Sequence, residues 1–439
     1  MAINFEDLER QIKERGRLTT LDNGVVVTSE NVPGSGLLKG GFTVQAGHGY
    51  EAHHGAAHFL EHMCFNGSRS TPSQEAYEEQ ANTIGLLTNA STGVFDIGFP
   101  IQGANQSGFL LHHYFPEALR LVTDIAFFPT LTEASLRKEL PIIQQELKDK
   151  VQREANDPTR ELYAVMMARV QRNNPFFEKN GLGTVESLNT MTREQLRAHH
   201  KKFFIGPHVR FALIGDLNGN DSQASRTIEA RLLEIPAGTR VAPLEVRAEE
   251  PYKGRERLEL QSPNKGKSQI SINFHIPPAH HVDAYQFNVL AYVLANSTNS
   301  LLYRELREQR GLVYSVRANL SGHARTGFFE ISYSVDPDKV DESLAVVDAA
   351  IERVRAGDFD EAYIRAFELA NLPQLLYNFQ NPGWIQAELF ERVSKERFGV
   401  QSTHLERLQR ALTQGKREAV HAANQYLGED RLEIITTKN

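Results

Sequence analysis

The chain has 439 residues, of which 40% are hydrophobic and 23% charged, so it is long enough for two or more globular domains of ordinary composition. Its formal net charge of −7 argues against a nucleic-acid-binding protein, which normally carries a basic face. No apolar run approaches the roughly 18 residues that a membrane span requires, and the single cysteine, Cys64, excludes an intrachain disulfide.

The amino terminus, MAINFEDLERQIKERGRLTTL, is charged and has no apolar segment typical of a secretory signal. Early acidic residues such as Glu6 and Asp7 are also atypical of an organellar transit peptide. We therefore expect a cytoplasmic protein, most simply a bacterial one.

The first half of the chain has the pattern of strands followed by long helices, with Asn23-Gly24 forming a hairpin turn. Glycines at 67 and 85 are natural helix stops. The predicted elements after the turn are a strand at 41–45, helices at 55–66 and 73–84, strands at 86–92 and 94–101, helices at 106–127, 132–152 and 157–172, and a strand at 209–214.

The second half repeats this order after a segment rich in Gly, Asn, Pro and charge. We predict domains at 1–235 and 256–439, joined by a linker at 236–255. The repeated order indicates an internal duplication and an α+β fold of two layered halves. The predicted elements are a strand at 268–276, helices at 283–295 and 301–310, strands at 312–320 and 326–334, helices at 338–356, 359–377 and 383–397, and a strand at 432–437.

The predicted helix at 55–66 contains the string His-Phe-Leu-Glu-His. At 3.6 residues per turn, His58, Glu61 and His62 fall at about 0°, 300° and 40° around the axis, so they share one face. Two imidazoles four residues apart can bind one zinc ion. A glutamate beside them can accept a proton from the water that attacks a peptide bond.

This motif is short, and the chain contains 16 histidines, so the pentapeptide alone is also compatible with an ordinary helix that binds no metal. If the duplication is real, the positions about 230 residues later are Asn288, Ala291 and Tyr292, which cannot replace the two histidines and the glutamate. Close histidines also occur elsewhere, at His112-His113, His199-His200 and His280-His281.

A catalytic zinc site usually has a third protein ligand, and a later predicted helix offers two glutamates. Glu139 and Glu146 are seven residues apart, so on one continuous helix they lie two turns apart on one stripe. One of them can bind the metal while the other hydrogen-bonds a ligand histidine. Pro141 lies between them and can kink this helix or begin a new one.

The segment AGHGYEAHHGAAHFLEHMCFNGS resembles the zinc-site segment of the pitrilysin/insulinase superfamily of inverzincin zinc metallopeptidases. The resemblance implies that His58 and His62 bind Zn²⁺ and that Glu61 is the catalytic base. In this family the metal-binding glutamate is the second of two that are spaced by seven. The resemblance therefore makes Glu146 the third ligand and Glu139 the residue that supports the site.

Two further strings resemble the family, namely REQRGLVY in the second half and LLTNAST in the first. The former implies that Arg307 and Tyr314 hold the substrate backbone and stabilise an oxyanion. The latter resembles an edge strand beside the zinc, which can pair with an extended peptide through main-chain hydrogen bonds. We therefore expect Asn89 and Ala90 to bind the substrate, with Asn89 also able to bind a substrate carbonyl.

The resemblance implies a zinc-dependent endopeptidase for extended, unfolded peptides. It also implies a clamshell of four such domains, of which this chain supplies two, so we expect a homodimer. A heterodimer with a related chain is the alternative. Two other functions stay open: a maturation protease dedicated to one peptide precursor, and a non-catalytic scaffold subunit, against which the intact catalytic positions argue.

Overall fold

The computed structural model describes two compact units. The first takes its described residues from Met1–Asp157, Asn174–Glu245 and Asn381–Phe390, and the second from Val246–Gln380 and Glu391–Asn439. The predicted helix at 157–172 lies outside the described residues. Those residues are 4–155, 174–177, 180–217, 223–247, 250–262, 266–278, 281, 283–323, 325–398, 402–413 and 415–438.

The first unit contains one mixed sheet. Its strands are β1 Gly16–Thr20, β2 Val26–Asn31, β3 Leu37–Val44, β4 Ser91–Thr92, β5 Ile97–Ile101, β6 Leu110–Leu111 and β7 Val209–Gly215. The strand order is β1-β2-β7-β3-β5-β4, and β6 pairs with β3. Only β2 and β7 run parallel among these pairs, so the sheet is mostly antiparallel and β4 lies at its edge.

Helices pack on this sheet through a core rich in phenylalanine. Phe42 of β3 lies 4.9 Å from Phe211 of β7 and 5.2 Å from Phe127, measured between ring centroids. The same core buries Phe59 and Leu60 completely. The helices are α1 Phe5–Arg15, α2 Ala56–Cys64, α3 Gln74–Thr83, α4 Phe115–Phe127, α5 Glu133–Ala155, α6 Val185–Asn189, α7 Arg193–Phe203 and α8 Gln223–Leu232.

The second unit contains a sheet of its own, in the order β8-β12-β9-β11-β10. Its strands are β8 Arg255–Ser262, β9 Ser268–Ile276, β10 Val313–His323, β11 Thr326–Val335 and β12 Arg431–Lys438. Helices in this half of the chain are α9 Ala284–Leu294, a π-helix at Tyr303–Gln309, α10 Val340–Arg355, α11 Ala362–Gln380, α12 Trp384–Phe398, α13 His404–Thr413 and α14 Lys416–Tyr426.

The two sheets share one topology. The path β2-β7-β3-β5-β4 in the first matches β8-β12-β9-β11-β10 in the second, and each path contains one parallel pair at the same place. Helix α2 follows β3 as α9 follows β9. The predicted α+β fold of two layered halves is therefore confirmed, and the repeated topology agrees with a duplication.

Several predicted elements were wrong in extent or kind. Residues 106–114 are not part of a long helix, because Gly108 has a φ of 68° and Leu110–Leu111 pairs with β3 instead. The predicted strand at 86–92 is reduced to Ser91–Thr92 and one isolated bridge, and the predicted helix at 301–310 is mainly π-helical. Within the described ranges, no helix has both the length and the apolar character needed to cross a membrane.

Candidate metal centre

Helix α2 is anchored at its amino end by a buried carboxylate. Glu51 accepts hydrogen bonds from the main-chain N–H groups of Gly55 (2.9 Å) and Ala57 (3.1 Å), two donors that the first turn cannot pair internally. Gly55 has a φ of 90° and packs against Gly183, so a side chain there would be strained. This anchoring and the buried apolar face of α2 leave its polar face turned towards a cavity.

Three potential ligand atoms meet above that polar face. Glu146 Oε2 on α5 lies 3.7 Å from His58 Nε2 and 3.5 Å from His62 Nε2. Among the described residues these three side chains form the one group able to hold a metal ion, with ligand atoms within 4.8 Å of one another. Ligands about 2.0–2.2 Å from a tetrahedral zinc ion lie roughly 3.5 Å apart, so this nitrogen and oxygen donor set fits zinc.

Glu139 lies behind this group and contacts the other side of His62. His62 Nδ1 donates a hydrogen bond to Glu139 Oε2 (3.0 Å), and Asn66 Nδ2 donates to Glu139 Oε1 (2.8 Å). The Glu139 side chain is 5% exposed, whereas that of Glu146 is 47% exposed. Helix α5 continues through Pro141, so both glutamates stay on one stripe. Glu146 faces the Nε2 atoms of both histidines, whereas Glu139 contacts only Nδ1 of His62, and this difference favours Glu146 as the ligand.

The pKa values of the two histidines are shifted in opposite directions. Burial, with smaller contributions from the nearby His62 and Lys150, lowers the pKa of His58 to about 4, so its imidazole is neutral and able to bind a metal at neutral pH. Burial also acts to lower the pKa of His62, but its hydrogen bond to Glu139 and the surrounding carboxylates outweigh this and raise it. Likewise, burial would raise the pKa of Glu139, but the hydrogen bonds from His62 and Asn66 lower it.

Glu61 lies beside the group, buried against β4. Thr92 Oγ1 donates a hydrogen bond to Glu61 Oε2 (2.5 Å). Burial raises the pKa of Glu61, and the bond from Thr92 opposes that rise. Sequence reasoning missed Thr92, because a threonine in a two-residue edge strand gives no signal of contact with a helix 31 residues earlier.

The ligand group opens into a cavity of about 700 Å³. Asn89 and Ala90 line this cavity, and Asn89 Oδ1 accepts a hydrogen bond from the N–H of Ala90 (2.9 Å); their role in substrate binding stays a prediction. They precede β4, whose outer edge is the edge of the sheet. An extended peptide can add to such an edge.

Arg307 and Tyr314 lie in the second unit and contact each other. The Arg307 guanidinium carbon is 4.9 Å from the ring centroid of Tyr314 and 4.9 Å from that of Tyr303. Arg307 belongs to the π-helix, and Tyr314 is 79% exposed at the start of β10. Both side chains are thus presented on the surface of this unit, and their catalytic role stays a prediction.

Comparison with known proteins gave consistent matches along the chain. Residues 26–179 match the family model of insulinase (peptidase family M16), and residues 190–366 match that of the peptidase M16 inactive domain. A protein of Mycobacterium tuberculosis named an uncharacterized zinc protease is 25% identical over 351 residues, which cover 79% of this chain and 76% of the relative. The uncharacterized zinc protease YmxG of Bacillus subtilis is 25% identical over 71% of this chain and 72% of its own length.

Solved structures share the fold over nearly the whole chain. A protease from Helicobacter pylori superposes with a TM-score of 0.75 at 17% identity, covering 96% of this chain and 99% of that one. The first half of the periplasmic protease PqqL from Escherichia coli gives 0.79 at 14% identity, covering 97% and 92%. A mutant of the ferredoxin protease FusC in complex with Arabidopsis ferredoxin gives 0.72 at 16% identity, covering 96% of this chain and 47% of that chain.

Proposed function

The chain belongs to peptidase family M16, the insulinase family, and from this premise we propose that it is a zinc-dependent endopeptidase that hydrolyses extended, unfolded peptides. One observation carries the proposal: the ligand atoms of His58, His62 and Glu146 lie within 4.8 Å of one another beside a buried carboxylate. The relatives named zinc proteases support the same metal.

His58, His62 and Glu146 would hold the zinc ion, and Glu139 would fix the tautomer and orientation of His62. A bound zinc ion would supply Lewis acidity, which lowers the pKa of water and polarises a carbonyl. Glu61 would accept a proton from the attacking water and then deliver it to the leaving amine. Thr92 would hold the carboxylate of Glu61 in the orientation that this transfer needs.

Substrate binding would use the edge of the first sheet. Asn89 and Ala90 precede β4 at this edge and line the cavity, so a peptide added there would pass the metal group. A peptide must be extended to pair in this way, which favours unfolded segments over folded proteins. We also propose, from family resemblance, that Arg307 and Tyr314 contact the substrate.

A homodimer is the assembly that we propose. The superposition on the periplasmic protease PqqL from Escherichia coli covers 97% of this chain and 48% of that chain, so two copies of this chain correspond in length to one chain of that protein. A heterodimer with a related chain is the alternative. Size measurement of the purified protein by light scattering separates a monomer from a dimer, and mass analysis identifies a second chain.

Two other functions are alternatives to general peptide turnover. A maturation protease would cleave one precursor and leave a mixed peptide library largely intact, whereas a scaffold subunit would cleave neither. The experiment that tests the proposed function is digestion of a random peptide library and of a folded protein, with products read by mass spectrometry. We expect many cleaved peptides, an intact folded protein, and no products after chelation; digestion of the folded protein at an equal rate would contradict the preference for extended chains.

Replacing Thr92 with valine should reduce cleavage most strongly at acidic pH. The hydroxyl bond lowers the pKa of Glu61, so its loss raises that pKa, and a smaller fraction of the base is ionised as the pH falls. The acid limb of the kcat profile should therefore move to higher pH, and Thr92→Ser should restore the wild-type limb. An unchanged limb in Thr92→Val would show that this hydrogen bond does not act on the base.

Replacing Tyr314 with phenylalanine should slow cleavage about tenfold or more without changing zinc content, since the hydroxyl is proposed to stabilise the oxyanion. The ring is kept, so its contact with Arg307 remains. Tyr303→Phe is the matched control, because Tyr303 contacts the same guanidinium and has no proposed role in catalysis. Equal rates for wild type and Tyr314→Phe would remove Tyr314 from the catalytic residues.

A further inference from the structure

The second sheet lacks a strand that the first sheet has. In the topology that the two sheets share, β8 corresponds to β2, and β2 pairs along its outer edge with β1. The path of the second sheet ends at β8, which among the described residues pairs with β12 and with no other strand. The outer edge of β8 therefore presents unpaired main-chain N–H and C=O groups, to which another extended chain can add.

The parallel pairing with β12 decides which residues of β8 face this open edge. The carbonyl of Gly254 accepts a hydrogen bond from the N–H of Arg431 (3.1 Å), so Gly254 and every second residue after it turn their main-chain groups towards β12. The main-chain groups of Arg255, Arg257 and Glu259 then point to the open edge. All three of these residues are exposed to solvent.

Two side chains on this edge are able to form further ion pairs. The Arg257 guanidinium contacts Glu433 through Nε (3.3 Å) and Asp341 through Nη1 (3.5 Å). It has five N–H donors, so others remain, and its side chain is 40% exposed. Glu259 is exposed and has no cationic partner in the part of the chain that the structure describes. The edge thus offers both a cation and a carboxylate.

These charges select one register for antiparallel pairing of β8 with a second copy of itself. Residues with outward-facing main-chain groups must lie opposite one another if hydrogen bonds are to form. A pairing centred on Leu258 meets this condition and places Arg257 of each copy opposite Glu259 of the other. A pairing centred on Arg257 or on Glu259 would place identical charges opposite each other, which is destabilising.

The register centred on Leu258 also suits the packing on both faces of the sheet. Leu258 packs on a small apolar cluster, and the same residue of a second copy would lie directly opposite and extend that cluster. On the other face, Arg257 lines an open space of about 390 Å³ beside Leu344 of α10. This space has room for the Glu259 side chain of the second copy.

We propose that two copies of this chain associate through β8, paired antiparallel about Leu258, so that their five-stranded second sheets join into one sheet of ten strands. Exposed charges on an edge strand oppose pairing where like charges meet, but in this register each Arg257 meets a Glu259. The inference goes beyond the proposed peptidase function and does not depend on its metal chemistry. It gives the proposed homodimer a specific interface.

Cysteine crosslinking of the full chain tests the register directly. Opposed residues of a non-hydrogen-bonded pair have Cα atoms about 4.5 Å apart, within the range of a disulfide, so Leu258→Cys should form a covalent dimer under mild oxidation. Leu260→Cys is the matched control, because Leu260 lies on the same face and is also half-buried. Its two copies would be four residues, or about 13 Å, out of register. The native Cys64 is buried and should not react.

Charge reversal tests the same interface without an added thiol. Glu259→Arg should raise the dissociation constant of the dimer about tenfold or more, because it places like charges opposite each other twice. Glu79→Arg is the control, since Glu79 is exposed on α3 of the first unit and undergoes the same change of charge. It should leave the dissociation constant unchanged. Sedimentation equilibrium over a range of protein concentrations measures both values.

Three results would each overturn this interface: a monomeric wild type, a dimer that Glu259→Arg leaves intact, or equal crosslinking of Leu258→Cys and Leu260→Cys. Peptide turnover measured on the same preparations separates failure of this inference from failure of the proposed function. A wild type that cleaves peptides but fails these tests would refute the interface alone. A dimer that passes them and cleaves no peptide would support the interface and count against the peptidase.

Discussion

Glu61→Gln should abolish most peptide cleavage, lowering kcat by about 10²–10⁴-fold, while the protein keeps its zinc. Glutamine has nearly the same size and can still accept the hydrogen bond that Thr92 donates to Glu61. It cannot take up the proton of the attacking water, so the chemical step alone is lost. Zinc content by elemental analysis and initial rates on a fluorogenic peptide measure the two quantities on one sample.

Glu79→Gln is a suitable control for Glu61→Gln, because it removes the same charge from an exposed position on α3 outside the cavity. Its rate and zinc content should match those of the wild type. Turnover that is unchanged in Glu61→Gln would exclude Glu61 as the base. Loss of zinc in that variant would instead show that Glu61 helps to bind the metal.

The second large effect is expected at Glu146. Glu146→Gln should weaken zinc binding by more than about 100-fold, because it removes the charged oxygen that faces the Nε2 atoms of both histidines. Glu139→Gln should weaken it by about 10–100-fold, because it removes only the partner of His62 Nδ1. Competition with a fluorescent zinc chelator measures both affinities.

Glu133→Gln provides the control on the same helix, since Glu133 is exposed and only approaches Arg137 at 4.0 Å. It should leave zinc affinity at the wild-type value. The opposite order, with Glu139→Gln the weaker binder, would refute the assignment of Glu146 as the ligand. Thermal melts of the zinc-free proteins show whether Glu139→Gln also unfolds the chain, because its carboxylate is buried.

The part of the centre carried by one helix face could be predicted from the sequence. The period of 3.6 residues places His58, Glu61 and His62 together, and the seven-residue spacing places both glutamates on one stripe of α5. Spacing alone could not decide between those glutamates. The difference lies in burial, because Glu139 is enclosed by His62 and Asn66 while Glu146 stays exposed above both imidazoles.

Contacts between distant elements could not be predicted in this way. Thr92 reaches Glu61 from a strand too short to show alternation, and Glu78 reaches the cavity from α3, whose sequence gives no sign of a nearby metal. Strand β8 was also missed, although its exposed charges alternate with Leu258 and Leu260 as in a strand. It begins at Arg255, where the predicted linker ends.

The central claim is that the zinc held by α2 and α5 is required for peptide hydrolysis. The most direct measurement is zinc content and peptide turnover on the same preparation as purified, after chelation, and after zinc is restored. We expect about one zinc ion per chain, loss of turnover with loss of zinc, and recovery of both together. Turnover that persists in zinc-free protein, or protein that binds zinc stoichiometrically but cleaves no peptide under any condition, would contradict the claim.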